Sequence, residues 1–277
     1  MKHREDISRA IDYIEANLRE NLTLADAARA AGYSEYHFLR LFRDALGLTP
    51  ADYIRKRRIS EIVRRLEYDR RPICDIAFEY GFNSKENFIR AFKAEHHILP
   101  TEYRAAKNSL KLYGPMRFDA NEPAPEVSLV TLEPFRLVAY PSDESFPPNF
   151  WNKYNAKKWS ARLSGGADAE DFGVSLWNYE RGELEYFIGI RETDARGELD
   201  GTVTLEIDGG LYAMFVTSPT EQFEFVNTIR RTWDYIRGWL ADNNFGRTGG
   251  CEFECYVESS REFSERIYIP IEREVSK

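Results

Sequence analysis

Apolar positions in the first hundred residues recur at helical spacing. Ile7, Ile11, Ile14 and Leu18 share one face and predict a first packing helix. Asn21 and Thr23 precede a short helix over Leu24–Ala31. Ser34 starts another, with Phe38, Leu41, Phe42 and Ala45 facing in and Tyr36, Leu39, Arg40 and Arg43 facing out. Thr49 as N-cap and Pro50 at the first helical position open a longer helix with the stripe Ile59, Ile62, Val63 and Leu66. From Ile73 to Tyr103 the earlier pattern returns. Ala77 precedes Gly81, which can take the positive φ of a tight turn. Ser84 can then cap a helix that turns Phe88, Ala91 and Phe92 inward and Glu86, Arg90 and Lys93 outward.

The two stretches match position by position. Ala28, Gly32, Ser34, Phe38, Phe42, Pro50 and Tyr53 answer to Ala77, Gly81, Ser84, Phe88, Phe92, Pro100 and Tyr103, with one extra residue, Asn83, in the second copy. A short helix, a glycine turn and a second helix with a charged outer face is the helix-turn-helix recipe for the DNA major groove. The long helix between the copies would act as a stiff joint. One chain could then read two successive major grooves, ~34 Å apart, without dimerising. The run Arg55–Arg58 on that joint is either solvated helix surface or supplies phosphate contacts from one or two of its residues.

On these residues, and on the tail "Phe88-Ile89-Arg90-Ala91-Phe92-Lys93 … Pro100-Thr101-Glu102-Tyr103-Arg104", residues 5–107 resemble the DNA-binding domain of the AraC/XylS family of transcription regulators. The likeness is to the Rob type, in which a GyrI-like ligand-binding domain follows. The resemblance implies base reading by Tyr36, Leu39 and Arg40 in the first motif and by Lys85, Glu86, Asn87 and Arg90 in the second. Arg43 and Lys93 complete the DNA-facing set. The chemistry suits the assignment: Arg40 and Arg90 can fork onto guanine O6 and N7. Glu86 can accept from cytosine N4, Asn87 can pair with adenine, and Leu39 can touch a thymine methyl. Rob-type relatives carry Gln where this chain has Leu39, Lys85 and Glu86, so a different operator sequence is expected.

Residues 109–126 carry Gly114, Pro115, Pro123 and Pro125 and read as a linker. Beyond them the pattern changes. Val127–Tyr140 alternates in β-branched residues, and Asn149–Leu163 reads as an amphipathic helix. Gly173–Tyr179 and Glu185–Ile190 read as strands. Thr202–Ile207 and Tyr212–Thr217 follow as strands, then a long helix over Glu221–Leu240 and strands at Glu252–Glu258 and Arg266–Ile271. FIGI at 187–190 echoes YIPI at 268–271. The expected architecture is an all-α domain (1–108) with two helix-turn-helix motifs joined by a helix, a linker (109–125), and an α+β domain (126–277). The last would be built of two pseudo-repeated strand-helix-strand halves.

GLYAMF at 210–215, FECY at 253–256 and IYIPI at 267–271 make this second part similar to the GyrI-like effector-binding domain, also found in multidrug-sensing regulators. That resemblance places Glu254 where an acidic residue meets cationic ligands. Alternation along FECY puts Glu254 and Tyr256 on one strand face and Phe253 and Cys255 on the other. A carboxylate among aromatic rings is a sound site for a cation. Trp151, Trp177, Tyr186, Tyr212 and Tyr256 are the candidate rings.

Charge follows the same division. The chain is −8 overall, yet residues 1–112 hold 21 basic against 17 acidic residues, and the remainder is −12. Only the first part suits a polyanion. The acidic remainder suits a cationic ligand, or solubility alone. Three cysteines argue against a disulfide framework and for a reducing, cytoplasmic setting. Cys251 and Cys255 are expected to be small core hydrophobes, and His96-His97 to close a helix rather than bind metal. No phosphate loop, zinc-protease motif or nucleophile elbow is present, so neither catalysis nor a cofactor is expected. The function expected is a DNA-binding activator of transcription. Its partners would be double-stranded promoter DNA, RNA polymerase and a small apolar or cationic effector, with no membrane role. Two alternatives attach to the second domain: hydrolysis of reactive electrophiles, with Glu254 as base, or a ligand-free interaction platform.

Overall fold

The computed structural model describes residues 2–66, 68–106, 110–118, 123–144, 146–178, 182–256 and 263–273. The chain forms two compact units. The first contains α1 (Lys2–Ala16), α2 (Leu24–Ala31), α3 (Glu35–Leu46), α4 (Pro50–Leu66), α5 (Ile73–Glu79), α6 (Lys85–His96) and α7 (Pro100–Ala106), with residues 112–118 laid against them.

The sequence repeat is a structural repeat. Ala28 and Ala77 are buried where the helices of each motif meet. Gly32 (φ +78°) and Gly81 (φ +76°) take the left-handed conformation that ends the first helix of each copy, which a side chain would strain. Phe38, Phe42, Phe88 and Phe92 are fully buried, each contributing about 1.5–3 kcal/mol of apolar burial. The copies differ at their caps. Ser84 Oγ accepts from Asn87 N at 3.1 Å, whereas Ser34 makes no side-chain cap bond. Thr49 caps α4, its Oγ1 accepting from Asp52 N at 3.1 Å. His97 closes α6 at φ +57°, in the role that Gly47 plays after α3.

α4 packs against α2, α3, α5 and α6, with Ile59, Ile62, Val63 and Leu66 buried. In the basic run on α4, Lys56 and Arg57 are buried and are not solvated surface. Lys56 is buried and paired with Glu95 on α6 at 2.6 Å. Arg57 is buried and donates to Glu15, Glu61 and the Tyr113 carbonyl. Arg58 donates to the Leu18 and Glu20 carbonyls, and its guanidinium lies against Gly81. Lys56 and Arg57 thus hold α4 from within and are not open to phosphates. Arg55 is exposed, in an ion pair with Asp52, and Arg58 is half-buried. Tyr113 and Met116 are buried in the same unit: Tyr113 N donates to Ser60 Oγ, and Met116 N to the Tyr53 hydroxyl.

The second unit contains β1 (Glu126–Leu132), β2 (Phe135–Pro141), α8 (Pro147–Ala156), α9 (Trp159–Ser164), β3 (Asp171–Asn178) and β4 (Glu183–Arg191). β5 (Val203–Ile207), β6 (Gly210–Val216), α10 (Gln222–Asp242), β7 (Phe245–Arg247), β8 (Glu252–Tyr256) and β9 (Arg266–Arg273) follow, and residues 110–111 belong to this unit too. The helix expected over Asn149–Leu163 is two helices, broken at Lys158, which sits at φ +53°. Tyr179 and residues 257–258, expected at strand ends, lie outside the described residues, as does part of the expected linker (109 and 119–122).

One sheet runs in the order β1-β6-β9-β8-β3-β4-β2-β5, with β7 added beside β9. Exchanging β1, β2, β3, β4 for β5, β6, β8, β9 reverses that order, so the sheet is built of two like halves. The short echo agrees, since FIGI lies on β4 and YIPI on β9. The halves join where β3 pairs with β8, and their first strands are exchanged: β1 pairs with β6, and β2 with β5. α8, α9 and α10 cover one face through Phe150, Trp151, Tyr154, Leu163, Ile236 and Leu240. On the other face Phe172, Tyr212, Phe253 and Cys255 form a second apolar cluster.

Candidate nucleic-acid interface and ligand cage

The outward set of the helical unit is placed as the spacing predicts. On α3, Tyr36 is 81% exposed, and Leu39, Arg40 and Arg43 are exposed. On α6, Lys85, Glu86, Arg90 and Lys93 are exposed and Asn87 is half-buried. Asn87 donates to Asn83 and accepts weakly from Arg90 at 3.4 Å, so the outward face of α6 is partly pre-arranged. Each face stands on a row of buried phenylalanines one helical step away. That combination holds the backbone still while leaving long polar side chains free to reach base edges.

The second site forms where the halves of the sheet meet. Gly173 on β3 pairs with Glu254 on β8. Glu254 is buried and accepts from the Tyr186 hydroxyl at 2.5 Å and from Trp151 Nε1 at 3.0 Å. Trp151 Nε1 also donates to the Tyr186 oxygen at 2.8 Å. Burial, reinforced by the Glu254 charge, pushes the Tyr186 hydroxyl well above its ordinary value, so it remains a donor. The trio fits only because residue 173 has no side chain. A Cβ there would lie 2.9 Å from both Glu254 Oε1 and the Trp151 ring, and closer still to the Tyr186 oxygen. Tyr256 packs its ring 4.9 Å from Trp151, and Phe225 of α10 lies 6.2 Å from Tyr256.

This cage contains a cation. The Lys111 ammonium lies 4.1 Å from the centre of the Tyr256 ring, 4.4 Å from Phe225 and 5.2 Å from Trp151. Cation–π attraction at such distances strengthens as water is excluded. Glu265 is a further buried carboxyl close by. Burial first, and then the Glu254 charge, drive its pKa well above the usual carboxylate range, while Lys111 pulls it down. Its Oε1 finds no hydrogen-bond partner among the described residues.

Of the residues expected at this site, the structure brings together Glu254, Trp151, Tyr186 and Tyr256. Tyr212 is buried on the opposite face of the sheet, against Phe253 at 5.7 Å. Trp177 lies further along β3 and is 49% exposed. Gly173, Phe225, Glu265 and Lys111 were not foreseen. A glycine inside a strand was the available signal for the first, because it marks a close approach. Cys251 and Cys255 are buried in the opposite apolar cluster, and burial raises both thiol pKa values. Among the described residues no group of His, Cys, Asp and Glu could hold a metal ion. No helix among them is long and apolar enough to cross a membrane.

Comparison with known families agrees with this division. Residues 27–106 match the helix-turn-helix domain model, and residues 125–272, more than half of the chain, match that of the GyrI-like small molecule binding domain. The chain belongs to the GyrI-like family, joined to an AraC-type helix-turn-helix domain in the Rob-type arrangement. It is similar to the transcriptional regulator Rob of Salmonella typhimurium: 29% identical over 216 residues, covering 73% of this chain and 74% of the relative. The HTH-type transcriptional activator AarP of Providencia stuartii is 40% identical over 98 residues, 35% of this chain and 73% of AarP. The Right origin-binding protein of Escherichia coli K12 is 37% identical over 128 residues, 46% of this chain and 44% of that protein. The chain is thus a DNA-binding transcription regulator of the AraC/Rob type with a GyrI-like domain.

Proposed function

We propose that this regulator activates transcription in response to a small organic cation bound in the cage around Glu254. The observation that carries the reading is the buried carboxylate itself. Tyr186 and Trp151 hold it, and aromatic rings that already surround an ammonium group line the space beside it. Specificity for DNA is assigned to Tyr36, Leu39, Arg40, Lys85, Glu86, Asn87 and Arg90, with Arg43 and Lys93 on the same outward faces. The two motifs, fixed to the α4 joint, would meet successive major grooves. Promoter activation requires contact with RNA polymerase, and similarity to a protein named as a transcriptional activator supports that sense of regulation. Coupling requires that the cation favour one state of the protein over another.

The test is transcription in vitro from promoters recovered by binding selection, with tetraphenylphosphonium as the probe cation. Transcript yield should change with the cation in the wild type and stay constant in Glu254→Gln. A cation response that survives in Glu254→Gln would overturn the assignment.

A further inference from the structure

Lys111 lies in the stretch that connects the two domains in sequence, yet it is fastened into the cage at three points. Its ammonium sits among Tyr256, Phe225 and Trp151. Its backbone N–H donates to the fully buried Asn152 Oδ1 on α8 at 2.7 Å. The Leu110 carbonyl beside it accepts from Gln222 Nε2 on α10 at 2.6 Å. Lysine is almost never fully buried unless it is paired, and the cage supplies the reason for burial here: Glu254 and Glu265 are buried carboxyls, and Glu265 Oε1 has no hydrogen-bond partner among the described residues.

We propose that Lys111 is a tethered occupant of the cage and that the effector is an organic cation that binds by displacing it. The inference rests on the reading of the cage as a cation site and adds to it the way in which binding is regulated. Two cations cannot share the space, because like charges a few ångströms apart in a dry site repel strongly. A neutral apolar molecule is a poorer replacement for Lys111, since it brings no positive charge to the buried Glu254 carboxyl. Exchange of one cation for another preserves the charge balance and releases residues 110–111. The Asn152 and Gln222 bonds to the connecting segment go with them. Effector binding is thereby read out as freedom of that segment.

Competition sets the size of the effect. Were the cage vacated by Lys111 in about one molecule in ten, the apparent affinity for the effector would be about tenfold below the intrinsic one. Calorimetric titration of the full chain with tetraphenylphosphonium tests this. Lys111→Met should bind about tenfold tighter than wild type, and Glu254→Gln much more weakly than either. Equal affinities for wild type and Lys111→Met, with Glu254→Gln still weak, would overturn displacement and leave the cage reading standing. Equal affinities for wild type and Glu254→Gln would overturn both. Hydrogen exchange on the wild type gives a second reading independent of any variant. Saturating cation should accelerate exchange of the Lys111 amide at least about fivefold, because the bond to Asn152 is lost. Unchanged protection at saturation would refute displacement.

Discussion

Replacing Gly173 with alanine isolates the cage from the rest of the molecule. The new methyl would sit 2.9 Å from Glu254 Oε1 and from the Trp151 ring, and nearer to the Tyr186 oxygen, in a space where ordinary contact needs 3.4 Å or more. β3 cannot retreat, because Gly173 lies mid-strand between β8 and β4. The side chains must yield, and the 2.5 Å bond from Tyr186 to Glu254 is the first loss. A hydrogen bond to a charged group contributes about 1.5–3 kcal/mol, and overpacking a filled site costs about 1–3 kcal/mol. If half of that total falls on the cation-binding geometry, tetraphenylphosphonium affinity drops about 10- to 100-fold, at 1.4 kcal/mol per decade. The domain itself should lose about 1–3 kcal/mol. All five tryptophans lie in the second domain, so urea unfolding followed by tryptophan fluorescence reports that loss directly. DNA binding without cation should be unchanged. Cation affinity within threefold of wild type, with an unshifted fluorescence midpoint, would refute the geometry.

Two further outcomes follow from other parts of the structure. Glu265 holds its proton more tightly folded than unfolded, because burial and Glu254 raise its pKa above the ordinary 4.5. Its stabilising effect is therefore complete below pH ~4.5 and is lost as pH rises through the folded value. Urea unfolding across pH 4–8 should show the wild type losing stability relative to Glu265→Gln as pH increases, and a gap that widens in the other direction would contradict it. In the helical unit, Arg40→Ala/Arg90→Ala should lose preference among selected DNA sequences while binding unselected DNA at the outset. Phosphate contacts contribute ~0.9 each to the slope of log affinity against log salt, so a fall in slope of about 1.8 would reassign both arginines to the backbone.

What could be read from the chain alone divides along a physical line. Ala28, Gly32 and Phe38, and their partners Ala77, Gly81 and Phe88, announced the helical unit because spacing decides which face of a helix is buried. That rule needs no knowledge of distant neighbours. Lys56 and Arg57 could not be told from surface charges because their partners are remote in sequence. Glu95 lies 39 residues from Lys56, and Glu15 lies 42 from Arg57. Spacing marks a charge as off the apolar stripe but cannot say whether a buried acid awaits it. The break at Lys158 was hidden because the left-handed conformation there is carried by a residue other than glycine. In the sheet, alternation correctly separated Glu254 and Tyr256 from Phe253 and Cys255. It could not align one strand against another, and so Tyr212 was grouped with a face it does not share. Lys111 was invisible for the same reason as Arg57. A lysine between Leu110 and Leu112 in a proline-bearing stretch looks like a solvated tether until its ammonium is seen against Tyr256.

A buried carboxylate among aromatic rings would make the GyrI-like domain of this regulator a receptor for organic cations. The most direct measurement is calorimetric titration of tetraphenylphosphonium into full-length wild type and Glu254→Gln under the same conditions. The wild type should show one saturable site per chain, and the variant an affinity at least about tenfold lower, the loss of roughly one buried charge interaction. Equal binding by the two proteins, or no binding by the wild type, would contradict it.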